Sequence, residues 1–268
     1  MIRVEVQILL MRRRTWVSVL MLATLPVIVA LFLKVSGVGS GAGSPAFLTE
    51  VIHNGTWLPI AALALVLPLF LPVAVLLLAG EAIAGEAAAG TLRYLLIRPV
   101  GRGRLLAAKL VGIIVYLVIA VTAVTTTAFV VGWGLFGLAP IKPLSGTGPP
   151  LSLSGAAIRI ALSALFVAAS MLGIAGVGLF LSVVTSTPLA ATLGALGVLV
   201  TAGVLDQLPA AAAIQPYLPT HYWMGFIDLF RDPVSWVNIR RGLALEGSYG
   251  AAMVILARIV FGTRDITS

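Results

Sequence analysis

The chain has 268 residues, of which 60% are hydrophobic and 10% charged; its mean hydropathy is +1.12. A soluble domain carries roughly a quarter charged residues, so there is too little polar surface here to coat a water-soluble globule. The chain has no cysteine, which excludes a disulfide framework, a thiolate metal site and a cysteine nucleophile. The net charge of +8 requires no nucleic acid, because the basic residues sit mainly at the ends of apolar runs, where the positive-inside rule places them.

The apolar runs are continuous and about the 20 residues that a helix needs to cross the hydrocarbon core. They lack the short alternating segments of a membrane β-barrel. The predicted fold is therefore all-α and polytopic, a single membrane domain with six transmembrane helices. Met1 to Arg14 precedes them as an amphipathic surface helix, with Val4, Ile8 and Met11 at helical spacing and Arg3, Glu5 and Gln7 elsewhere on the wheel. Arg12, Arg13 and Arg14 anchor span one, residues 15–33. This run is longer than the core of a secretory signal peptide. Ser36 to Pro45 is a Gly/Ser-rich loop. Span two, residues 58–80, contains Pro59, Pro68 and Pro72, and proline inside a helix removes a hydrogen bond and kinks it.

A polar segment, 81–104, leads into span three at 105–133. Ala139 to Gly155 is a second loop, and span four covers 156–184. Thr187 is placed to cap the next helix and Pro188 to open it, giving span five at 189–205. A long connection from Asp206 to Arg241 leads to the last span, 242–261. Six spans put both ends and the 81–109 loop on one side. That side holds eleven of the seventeen Lys and Arg residues, so the N- and C-termini are expected in the cytoplasm. Abundant arginine, alanine and glycine suggest a bacterial source, and hence a bacterial inner (cell) membrane.

The interiors of spans two to five carry no Asp, Glu, Lys or His. Ion-coupled transporters and intramembrane enzymes keep such groups at depth, so proton relays and intramembrane proteolysis are disfavoured. His53 and His221 are both placed in outer loops, without a third ligand at metal-binding spacing. Asp206 and Glu246 are placed at outer helix ends within reach of water. None of the three lysines stands in a phosphate-binding loop, so any ATP is bound by another chain. No enzymatic activity is expected of this one. Small residues in spans four and five, such as Ala169 with Gly173, Gly178 with Ser182, and Gly194 with Gly197, suit close helix packing, within one subunit or between two.

The most informative stretch is EAIAGEAAAGTLRYLLIRPVGRGRLLAAK, residues 81–109. Read as a helix, it places Glu86, Gly90 and Arg93 on one face and Ala88, Leu92 and Leu95 on the other. Pro99 ends the helix, and Gly101 and Gly103 permit the turn. The product is a half-apolar, half-charged elbow between two spans. One use for it is to dock a partner; the other is to set its arginines against anionic lipid head groups.

Gly85-Glu86, Gly90-Thr91-Leu92, Leu95-Leu96, Arg98-Pro99-Val100, Arg102, Leu105-Leu106 and Lys109 resemble the cytoplasmic motif of the ATP-binding-cassette (ABC) type-2 permeases. The run Arg258 to Ile266 is similar to that family's C-terminal tail, and Pro216 to Tyr222 to its outer segment before the last span. The resemblance implies the membrane-spanning permease subunit of an exporter, paired with a second permease subunit, identical or not, and with a cytoplasmic dimer of ATPase subunits that binds ATP and Mg. It implies that residues 81–104 form a coupling helix seated in the ATPase. Glu86, Gly90, Thr91, Arg93, Arg98, Pro99 and Arg102 then transmit the motion, Gly90 allowing close backbone approach and Arg98 and Arg102 pairing with acids of the partner. A non-transporting membrane anchor and an ion-coupled transporter are the rival classes.

Overall fold

The computed structural model describes residues 1–36, 46–91, 101–145 and 148–263. Among these there are ten α-helices, with short 3-10 turns between them, and the only β pairing is an isolated bridge between Ile141 and Leu151. Six helical stretches are long and apolar enough to cross a membrane: 13–35, 70–88, 102–136, 153–184, 188–207 and 237–263. The expected fold class, all-α with six membrane-spanning helices, is what the chain adopts.

The elements are α1 (Ile2–Met11), α2 (Arg13–Ser36), α3 (Ala46–His53), α4 (Leu58–Val66), α5 (Phe70–Ala88), α6 (Arg102–Phe136), α7 (Leu153–Ser170), α8 (Leu172–Val184), α9 (Pro188–Gln207) and α10 (Val237–Thr263). The predicted second span, 58–80, is two helices. Pro59 stands in the first turn of α4 and Pro72 in the first turn of α5, where the missing N–H would have had no helical partner. Only Pro68 breaks a helix, at the turn Leu67–Leu69, because its ring would clash with the carbonyl four residues back. α4 is buried on nearly all sides, as an all-round apolar helix must be.

The predicted fourth span is likewise interrupted, at Met171 between α7 and α8. α6 has 35 residues, about 52 Å of helix, and so overshoots a hydrocarbon core of about 30 Å. Thr187 caps α9 through its hydroxyl, which accepts from the Ala190 amide, and Pro188 is the first helical residue. The last helix starts at Val237 rather than 242, so Arg240 and Arg241 lie within it. His53 ends α3 instead of lying in a loop.

α2 runs along α6, α5 along α8 and α9, and α10 along α8. Glycine permits two of these crossings. A Cβ on Gly176 would stand 3.1 Å from the Met253 Cβ, and one on Gly178 would stand 2.8 Å from the Ala79 Cβ. The Ser182 hydroxyl reaches into α5: it donates to the Gly80 carbonyl at 2.7 Å and accepts from the Ile83 and Ala84 amides, both at 2.9 Å. The Gly178/Ser182 pair therefore packs within the subunit. Gly197 meets nothing within 4 Å.

Helix α1, the end of α5, the start of α6 and the end of α10 share one end of the bundle, the termini end, because α1 and the C-terminal end of α10 both bond to the start of α6. The far end carries residues 137–145, 148–152 and 208–236. There Arg159 donates to the Leu229 and Arg231 carbonyls, and the buried Asn54 side chain ties Thr56 to Ala139 and Pro140.

Candidate functional site at the termini end

Helix α5 does not stop at the predicted membrane boundary. It continues through Glu81 to Ala88, so the first part of the polar segment is a rigid extension of span two. Its end is fixed locally. Gly90 adopts φ +67°, the Thr91 amide donates to the Glu86 carbonyl and the Gly90 amide donates to the Ala87 carbonyl. These two bonds across a left-handed glycine form a Schellman stop. Gly90 was expected on a helix face, in close contact with a partner. It is the stop itself, and a Cβ there would meet nothing within 4 Å. The helix that carries Glu86 therefore ends at Ala88 and does not run unbroken past Gly90; the rest of the predicted helix, with Arg93, Arg98 and Pro99, lies outside the described residues.

Glu86 points into a charged cluster. Its Oε1 accepts from Lys109 Nζ at 3.1 Å and its Oε2 from the Thr91 hydroxyl. Lys109, whose side chain is 6% exposed, also lies 2.7 Å from Glu5 Oε1. A desolvated ammonium is tolerable only with such partners. One lysine thereby joins α1, α5 and α6. Glu5 was expected on the polar side of the surface helix; it faces the bundle beside the buried Leu9. Val4, Ile8 and Met11 face outward instead. Arg14 and Glu81 form a second pair at 3.1 Å, but the side chains are 85% and 37% exposed, and pairs of that kind contribute little.

Arg102 was expected to meet a partner's acids. Its Nη1 donates to the carbonyls of Phe261 and Gly262, at 2.8 and 2.9 Å, and its guanidinium stands over the Phe261 ring at 5.9 Å. These carbonyls belong to the last turn of α10, where helices leave acceptors unfilled and the dipole attracts cations. Of the predicted residues, the structure thus brings Glu86 and Thr91 together and gathers Gly90 beside them. Arg102 stands apart, on the C-terminal helix. Sequence reasoning missed Lys109 as the hub and Glu5 as its partner. The available signal was a lone lysine two turns inside an apolar helix.

The far end holds a carboxylate of a different kind. Glu246 was expected within reach of water, yet it is 2% exposed. It accepts from Trp223 Nε1 at 2.7 Å and from the Gly173 amide at 3.1 Å. Asp206 pairs with His221 Nδ1 at 2.6 Å. Among the described residues no three His, Cys, Asp or Glu side chains are grouped to hold a metal ion.

The geometry is that of a membrane bundle in which α1, the extension of α5 and the last helix are all bonded to the start of α6 at one end. A family profile described as ABC-2 family transporter protein matches residues 1–261. The chain belongs to the ABC-2 transporter family. As a family member it is a multi-pass membrane permease of an ABC transporter, and the family component is the transmembrane part rather than the catalytic one. No curated protein matches the chain. In this ABC-2 permease the motif residues Glu86, Gly90 and Thr91 build a helix stop, and the motif lysine, Lys109, joins it to α1.

Proposed function

We propose that this permease is the membrane-spanning half of an ATP-driven exporter in a bacterial inner membrane, working as a dimer with a cytoplasmic pair of ATPase subunits that bind ATP and Mg. The termini end faces the cytoplasm, since most of the Lys and Arg residues belong to it. The exposed stripe of α1, Val4, Ile8 and Met11, lies in the membrane interface. One observation carries the reading: the tip of span two is joined through Lys109 to both the surface helix and span three. A push on residues 81–104 by an ATPase therefore reaches three elements at once. Arg93, Arg98 and Pro99 are the residues offered to the ATPase, and Glu86, Gly90, Thr91 and Arg102 hold the ends of that segment.

The test is co-expression with a cytoplasmic ABC ATPase subunit and reconstitution of both chains in vesicles. Substrate is expected to move out only with ATP and both chains present. Charge reversal at Arg98 is expected to lower ATPase assembly or transport while membrane insertion stays normal. Uphill transport by the purified permease alone, on a proton or sodium gradient, overturns the proposal.

A further inference from the structure

A groove of about 1130 Å³ opens at the termini end, between α2 on one side and α5 on the other, with α1 and the start of α6 at its base. It is at the upper limit of ligand-sized pockets. Its walls are apolar, and several of them present large exposed side chains: Met21, Phe70 and Leu77. Its base is ionic, with Arg12, Arg13, Arg14 and Lys109 against Glu5, Glu81 and Glu86. The carboxylates are engaged: Glu5 and Glu86 by Lys109, and Glu81 by Arg14. Arg12 lies close enough to Glu86 to act on its charge. Neither Arg12 nor Arg13 has a carboxylate within 4 Å among the described residues. The base therefore carries one positive charge more than its own acids neutralise.

The dimensions narrow the occupant. On α5 the apolar wall runs from Leu78, just above Glu81, up to Phe70, about 12 Å of helix. One leaflet supplies about 15 Å of hydrocarbon. The wall ends where the α4–α5 break brings Leu69 and Phe70 into the lining. The apolar part of the groove thus fits within one leaflet and does not run through the membrane. A polar end with a single surplus positive charge, continuous with an apolar slot of that depth, matches a molecule with one anionic head and acyl chains.

We infer that this groove binds one anionic phospholipid of the leaflet at the termini end, its phosphodiester on Arg12 and Arg13 and an acyl chain between α2 and α5. The site is independent of whether an ATPase drives the protein. Bound there, the lipid separates span one from the lower half of span two. It also lies against the Glu5–Lys109–Glu86 cluster, so its loss brings α2 and α5 together at the junction.

The test uses the full chain in vesicles doped with phosphatidylglycerol that carries a photoreactive group on one acyl chain, with phosphatidylcholine labelled in the same way as comparison. Cross-links to phosphatidylglycerol are expected on Met21, Phe70 and Leu77 in preference to the outward face of α9, and several-fold more often than to phosphatidylcholine. The double variant R12Q/R13Q is expected to lose that preference, at roughly fivefold per arginine removed. Its thermal unfolding in detergent serves as the folding control. As a second variant, A74W fills the slot and is expected to abolish groove cross-links while leaving those on α9. Equal labelling by the two lipids, or labelling spread evenly over all exposed helix faces, overturns the inference. So does a groove that cross-links to polypeptide, whether a second copy or this chain's own residues.

Discussion

Two glutamates are drawn into this bundle, and they are satisfied by opposite means. Glu86, at the termini end, sits in an ion cluster with Lys109 and Glu5. Glu246, towards the far end, has no cation within 4 Å among the described residues and is held by an indole N–H and a backbone amide. The helix break at Met171 leaves the first amides of α8 without helical acceptors. Glu246, on another helix, fills one of them. Its site is narrow: a Cβ on Gly173 would stand 2.2 Å from Glu246 Oε2. The far-end carboxylate thus ties α10 to Trp223 and to the start of α8 by directed hydrogen bonds. The termini-end cluster joins three elements that are separate in sequence through charge attraction, which tolerates changes of angle and distance better than a directed bond does.

The comparison is broken most severely at Lys109. Lys109→Met leaves the half-buried Glu5 and Glu86 without their cation, and a loss of about 3 kcal/mol, the low end for a broken buried pair, is expected in thermal or denaturant unfolding of the detergent-solubilised protein. The triple variant with Glu5→Gln and Glu86→Gln is expected to recover most of that stability, since uncharged side chains do not need a counter-ion. It should not recover transport, if the cluster carries motion rather than mere stability. Wild-type transport by the folded triple variant counts against the coupling role of the cluster.

Glu246→Gln comes next. A carboxamide offers one oxygen to two donors, leaving either Trp223 or Gly173 facing an NH₂ group. A loss of about 1–3 kcal/mol is expected, together with a shift in Trp223 fluorescence. An unchanged emission spectrum and unfolding midpoint would show that Glu246 does not hold that tie. Gly90→Ala places a Cβ on a residue at φ +67° and is expected to destabilise by about 1 kcal/mol. Because open space surrounds that position, Gly90→Asn should fall between the two. The smallest effect is expected at Glu81→Gln: its exposed pair with Arg14 should contribute under about 1 kcal/mol, and less at high salt. A larger loss would mean that Glu81 has a role beyond that pair.

The all-α class and the number of membrane-crossing stretches were legible because an apolar run long enough to cross the membrane is a local property of the sequence. The Thr187–Pro188 helix start was legible for the same reason. What escaped depends on distant partners or on backbone conformation. Three prolines in one apolar run predicted kinks throughout it, whereas Pro59 and Pro72 begin helices and only Pro68 breaks one. Hydropathy placed the start of the last helix at 242, so Glu246 seemed to lie at a wet end. The helix begins at Val237, and residue 246 lies more than two turns inside it. Gly90 was legible as important but not as a stop, because helical spacing fits a glycine on a face as readily as one just past the end. Nothing local reveals that Lys109 needs Glu5, on an element separated from it by two spans.

The grip of Ser182 on helix α5 has a mechanical consequence. The hydroxyl clasps the helix at Gly80, Ile83 and Ala84, leaving a short arm to Ala88 and a longer one up to Phe70. If that clasp acts as a fulcrum, tilting the short arm swings the upper end the opposite way through roughly twice the distance. A small shove at the lower tip of α5 then arrives, enlarged and reversed, at the Pro68 discontinuity.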